Sequence, residues 1–196
     1  MKLEKLEEKF EKLYNTFTND SFLSMKALGG EIPFYISSYN PVQETKVFNE
    51  IERLKNRLKL KGISVHEINL FQLVVEMLKE RGILEKLIEK ESSLSKEKLY
   101  KTLQGAIDTQ KYLIPKIDTI VEANSSNIVF LTGIGQVYPF IRSHTVLNNL
   151  QNSIKDRPTV MFFPGVYDGT SLSLFGKLKD DNYYRAFNLE TVNLVK

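Results

Sequence analysis

The chain has no cysteine and only two histidines, His66 and His144. Without cysteine there is no disulfide framework, no thiolate zinc site and no cysteine nucleophile, and a reducing compartment is favoured. Neither histidine stands beside another metal ligand at a spacing that makes a metal site. No apolar run approaches the roughly 20 residues a membrane-spanning helix needs. The N-terminal string MKLEKLEEKFEKLYNTF is interrupted by acids at every turn, so it lacks the apolar centre of a secretory signal. The expected location is the cytoplasm. Neither sign of charge dominates: 27 basic and 24 acidic residues give a formal +3 and are mixed along the chain, a weak case for a polyanion partner.

What remains is ordinary globular material, with 196 residues, 42% of them hydrophobic and 26% charged, enough to bury one sizeable core. A single domain over residues 1–196 is expected. Leu3, Leu6, Phe10, Leu13 and Phe17 recur at spacings of three and four, which predicts an amphipathic helix within residues 1–18. Its stripe must be covered, by the parent domain or by a partner helix. IPFYIS (Ile32 to Ser37), ISVHEIN (Ile63 to Asn69), Ile128 to Thr132 and Thr159 to Phe163 read as strands. Between the first two, Val47, Phe48, Ile51, Leu54 and Leu58 line one side of a helix ending near Gly62. The next helix is expected to turn Phe71, Val74, Val75 and Leu78 inward and to stop near Gly82. Residues 83–123 form a helical insertion, with Ser95 as a helix cap and Pro115 opening the last helix. A further helix spans about Phe140 to Ile154, and Tyr183 to Leu189 is expected as a late edge strand. Continuous apolar strands alternating with amphipathic helices predict a mostly parallel sheet covered on both faces, an α/β three-layer sandwich.

No complete chemical motif is present. The first strand-to-helix turn, SSYNPVQET, has no glycine and no Gly-Lys-Ser/Thr ending, so it cannot cradle phosphates. The Gly176-Lys177 pair is followed by Leu178 and has Ser171 where a first glycine belongs. Gly133 and Gly135 follow a strand, but Tyr138 takes the third glycine position of a dinucleotide fingerprint. A tight turn is the plainer reading, with a degenerate nucleotide site as the sharper one. Ser143 and His144 are sequence neighbours pointing about 100 degrees apart on a helix, and a triad with Asp168 needs long-range folding. Asp180 and Asp181 alone do not define a cation site. No cofactor, metal or catalytic residue is assigned, and a non-enzymatic role is expected.

Two surfaces stand out. Arg53, Lys55, Arg57, Lys59 and Lys61 share one helix, either as a solvated face or as a phosphate-binding strip for nucleic acid. Aromatic and arginine side chains collect in the segments after the later strands: Tyr138, Phe140, Arg142, Tyr167, Asp168, Tyr183 and Arg185. Loops at the carboxyl ends of parallel strands line the crevice where such folds bind, and tyrosine and arginine are favoured at interfaces, so these seven are the candidate partner-binding residues.

The strings LGGEIPFYISSYNP, HEINLFQLVVEMLKERGILEKLIE, VFLTGIGQVYPFIRSHTVLNNLQ and PTVMFFPGVYDGTSLSLFGKLKDDNYYRAFNL make the chain resemble the BrxB family of bacterial BREX phage-defence systems, over residues 3 to 190. The resemblance implies membership of a multi-protein defence complex containing an alkaline-phosphatase-like protein (PglZ), a DNA adenine methyltransferase (PglX) and a large ATPase (BrxC). It supplies no catalytic residues. The expected function is that of a non-enzymatic adaptor with PglZ as its first partner. A nucleic-acid-binding module and a degenerate nucleotide-sensing domain are the alternatives, and the oligomeric state stays open.

Overall fold

The computed structural model describes residues 5–25, 33–180, 182 and 184–191, apart from the side chains of Asn152 and Ser153. Leu3, Gly29, Gly30, Ile32, Asp181 and Tyr183, all used in the sequence reading, lie outside the described residues. In chain order the elements are α1 (Leu6–Phe17), α2 (Asp20–Leu23), β1 (Phe34–Tyr39), α3 (Glu44–Leu60), β2 (Val65–Asn69), α4 (Leu70–Glu80), α5 (Leu84–Lys90), α6 (Lys96–Ala106), α7 (Ile114–Glu122), β3 (Ile128–Thr132), α8 (Ser143–Ser153), β4 (Thr159–Tyr167), β5 (Leu172–Leu174), β6 (Leu178–Lys179) and β7 (Phe187–Asn188).

Among the described residues the main sheet runs β2-β3-β4-β1-β7, with every neighbouring pair parallel. Each central strand serves two cores. Phe34, Ile36, Val129, Leu131, Met161 and Phe163 point to the face covered by α4 to α8. Tyr35, Tyr39, Ile128, Phe130, Val160 and Phe162 point to the face covered by α1 to α3. A strand buried on both sides has no polar alternation, which is the pattern the continuous apolar strings predicted. The structure is therefore α/β with a mostly parallel sheet between two helical layers.

Helix α1 buries Leu6, Phe10, Leu13 and Phe17 on the sheet, where Phe10 stacks on Phe162 with ring centroids 6.3 Å apart and Phe17 meets Phe130 at 5.5 Å. Its stripe is thus covered by the domain itself. The insertion resolves into α5, α6 and α7, with a π-helical turn at Thr109–Leu113 before α7. Ser95 caps α6 by accepting from Lys98 N, as its position predicted.

Several expectations shift. The inward face of α4 is Leu70, Leu73, Val74, Met77 and Leu78, whereas Phe71 is 46% exposed. Asn69 caps this helix directly at the end of β2 by accepting from Gln72 N at 3.1 Å, so no loop intervenes to reset the phase. Helix α8 begins at Ser143, after a run of turns from Ile134. Strand β4 continues through Pro164 and Gly165 to Tyr167, because it leaves the parallel sheet and pairs antiparallel with β5, which pairs in turn with β6. Among the described residues of the expected edge strand, Phe187 and Asn188 pair with β1, while Tyr184 is 1% exposed.

Candidate functional site

Strand β1 exits toward α3 on one face and β3 exits toward α8 on the other. Diverging exits of this kind open a crevice at the carboxyl end of a parallel sheet. Here the strand between them, β4, runs on past the sheet and folds back as β5 and β6 over that position. Gly133 has φ +72°, and a methyl group on it would lie 2.6 Å from Asn69 Oδ1. A methyl on Gly135 would lie 2.9 Å from both Phe175 Cε1 and Pro164 Cγ. These glycines serve a close approach between protein segments, and the space beside Gly135 is filled by the hairpin.

The hairpin instead forms one wall of a crevice of about 670 Å³. Tyr138, Arg142, Ser143, Asp180 and Asn182 also line it. The hairpin contributes Leu172, Leu174, Lys177, Leu178 and Lys179. Tyr138 is 36% exposed and Leu178 41% exposed, so both present apolar area at the rim. The Tyr138 ring meets Phe175 edge-on at 6.4 Å, and the Tyr138–Pro139 peptide is cis.

Asp180 organises the end of the crevice. Its Oδ2 accepts from the Tyr184 hydroxyl at 2.6 Å and lies 2.9 Å from His144 Nδ1, while its Oδ1 accepts from the Asn182 backbone at 3.1 Å and from the Asn182 side chain. Partial burial raises its pKa, but the Tyr184, Asn182 and His144 bonds outweigh that and hold it below the usual aspartate value. Burial and the neighbouring Asp180 charge push the Tyr184 hydroxyl far above the usual tyrosine range. The cluster fastens the start of α8 to the segment after β6. Among the described residues, no group of three or more histidine, cysteine, aspartate or glutamate side chains is placed to hold a metal ion.

The family model described as "BREX protein BrxB" matches residues 66–189. A BREX protein BrxB of Bacillus cereus (strain H3081.97) is 40% identical over 191 residues, covering 95% of this chain and 98% of that protein. The chain belongs to the BrxB family. A second BrxB, from Escherichia coli O9:H4 (strain HS), is 33% identical over 184 residues, covering 94% of this chain and 91% of its own length. No solved structure matches.

Of the candidate partner residues in this BrxB-family chain, Tyr138 and Arg142 line the crevice and Arg185 is exposed. Phe140 is half-buried and packs on Tyr100 of α6 at 5.6 Å, beside a smaller cavity of about 370 Å³. Tyr167 is 4% exposed, with its hydroxyl 2.8 Å from Ala186 O, 3.0 Å from Gly169 O and 3.3 Å from Tyr184 O, so it pins the final segment to the hairpin. Asp168 is exposed and accepts from the Ser171 and Thr170 backbone amides and hydroxyls, at 2.7 to 2.8 Å, which hold it far below the usual aspartate range and brace the β4–β5 turn. His144 finds Asp180, not Asp168. His66 sits on the edge strand β2, with Nδ1 3.0 Å from the Asn124 amide nitrogen.

The basic helix is largely neutralised. Arg53 pairs with Glu50, Lys55 with Glu52 and Glu67, and Arg57 forks onto Glu11 while lying 3.9 Å over the Tyr14 ring. Lys59 and Lys61 are exposed and carry no ion pair among the described residues. Among the described residues no helix is long and apolar enough to cross a membrane.

Proposed function

We propose that this BrxB-family chain is a non-enzymatic adaptor of a BREX system that docks another BREX protein, PglZ first among those to test, on the surface around the Tyr138–Arg142 crevice. The observation that carries the reading is the juxtaposition of exposed Tyr138 and Leu178 with Arg142 and Lys177 around one concavity. A large amphipathic ring, an aliphatic neighbour and an arginine fork are the side chains that dominate interface energetics. The nucleic-acid reading draws less support, because three of the five cations from Arg53 to Lys61 are already committed to carboxylates.

The experiment is co-purification of the tagged full chain with co-expressed BREX proteins. Alanine at Tyr138 or Arg142 is expected to cost about 2 kcal/mol of binding each, roughly thirtyfold, with an unchanged melting temperature. Undiminished capture by both variants contradicts the proposal.

A further inference from the structure

The crevice has a definite electrostatic character. Arg142, before α8, and Lys177, in the β5–β6 hairpin, both line it. Among the described lining residues the carboxylate is Asp180, which is turned to Tyr184, Asn182 and His144. Arg142 and Lys177 therefore face a concavity in which the described carboxylate is locally compensated, and such a cleft focuses a positive field on what enters. Among the described lining residues Leu174 and Leu178 of the hairpin are aliphatic and Tyr138 is aromatic.

Resting on the docking reading above, we infer that the crevice receives an acidic peptide segment of the partner, with carboxylates between Arg142 and Lys177 and an aliphatic side chain against Leu178 and Tyr138. Arginine forks and lysine point charges suit carboxylates and phosphates alike, and the exposed aliphatic area of Leu178 favours a peptide, which carries aliphatic side chains beside its carboxylates. A nucleic-acid strand needs a longer track of available cations. The neighbouring basic helix does not extend such a track, since its charges at Arg53, Lys55 and Arg57 are paired within the chain.

The test uses the full chain co-expressed with its BREX partners, and three probes: a short Glu/Leu peptide, its Lys/Leu counterpart and a single-stranded oligonucleotide of similar length. The Glu/Leu peptide is expected to displace the captured BREX protein and the Lys/Leu peptide to leave it in place. The R142E/K177E pair is expected to lower capture about tenfold or more, and K59E/K61E at the end of α3 to leave it unchanged, because charge complementarity acts only where the charges meet. Melting curves on each variant separate lost binding from lost folding. If Tyr138→Ala lowers capture while R142E/K177E does not, docking stands and the acidic chemistry is overturned. If the wild-type chain captures no BREX protein, both fall. Tight binding of the oligonucleotide that R142E/K177E abolishes overturns the peptide assignment in favour of nucleic acid.

Discussion

His144 Nδ1 lies 2.9 Å from Asp180 Oδ2, joining the first turn of α8 to the segment that follows β6. The same carboxylate oxygen receives the buried Tyr184 hydroxyl at 2.6 Å. The segments that carry the lining residues Ser143 and Asp180 are thereby tied together.

Acid should loosen this tie. The folded-state pKa of Asp180 is depressed, so its stabilising contribution is present at neutral pH and is lost as the pH falls below about 4 and through the depressed value. Asp180→Asn is expected to destabilise the chain by about 1–3 kcal/mol at neutral pH. It is also expected to flatten the acid limb of stability, measured by denaturant unfolding across pH. An unchanged acid limb contradicts the assignment.

Tyr167→Phe separates structure from recognition. Its hydroxyl serves a region with three backbone carbonyls, and removing it leaves buried acceptors short of a donor at a cost of about 1–2 kcal/mol. The melting temperature is expected to fall by about 2–4 °C per kcal/mol. Partner capture by the folded variant should match the wild type.

The hairpin over the sheet end has no room for added atoms. A methyl on Gly165 would lie 2.2 Å from Ser173 O, a backbone atom fixed by the β4–β5 pairing. A methyl on Gly135 meets the ring of Phe175 and Pro164, which can shift a little, at about 1–3 kcal/mol. Gly165→Ala is therefore expected to lower the melting temperature more than Gly135→Ala. The reverse order contradicts the packing described.

Lys55 is a structural cation. It bridges Glu52 on its own helix and Glu67 on β2, and Glu67 also accepts from Thr132 at 2.7 Å. Partial burial raises the Glu67 pKa, but Lys55 and Thr132 outweigh it and leave the net shift downward. Lys55→Met leaves Glu67 without its cation and is expected to cost about 1–3 kcal/mol at neutral pH, as measured by urea unfolding. A loss smaller than that of the exposed Lys59→Met refutes the role.

Much of the architecture was legible because each central strand carries two cores. Ile128–Thr132 could be bounded from its apolar string alone, and the cap at Ser95 from its hydroxyl at a helix start. The phase of α4 was not legible, because Asn69 belongs both to the strand and to the cap, and that dual role moves Phe71 outward. The β5–β6 hairpin was signalled only by Leu172, Leu174 and Leu178 around Gly176; with φ +57° at Phe175 and +69° at Gly176, its turn depends on a residue type that rarely adopts such a conformation. At the candidate site, Tyr138 and Arg142 could be named from composition, but the Asp180 cluster could not. It joins residues 36 apart in sequence, and no local pattern announces such a contact. Tyr167 looked the same in sequence as Tyr138, and only the register of β4 against β5 turns it inward.

The most direct measurement is a binding titration of purified PglZ against the wild-type chain, Tyr138→Ala and Tyr167→Phe, with a thermal melt of each. The docking account predicts that Tyr138→Ala loses roughly thirtyfold in affinity and keeps its melting temperature, while Tyr167→Phe keeps its affinity and melts lower. No binding by the wild-type chain, or equal affinity for wild type and Tyr138→Ala, contradicts it.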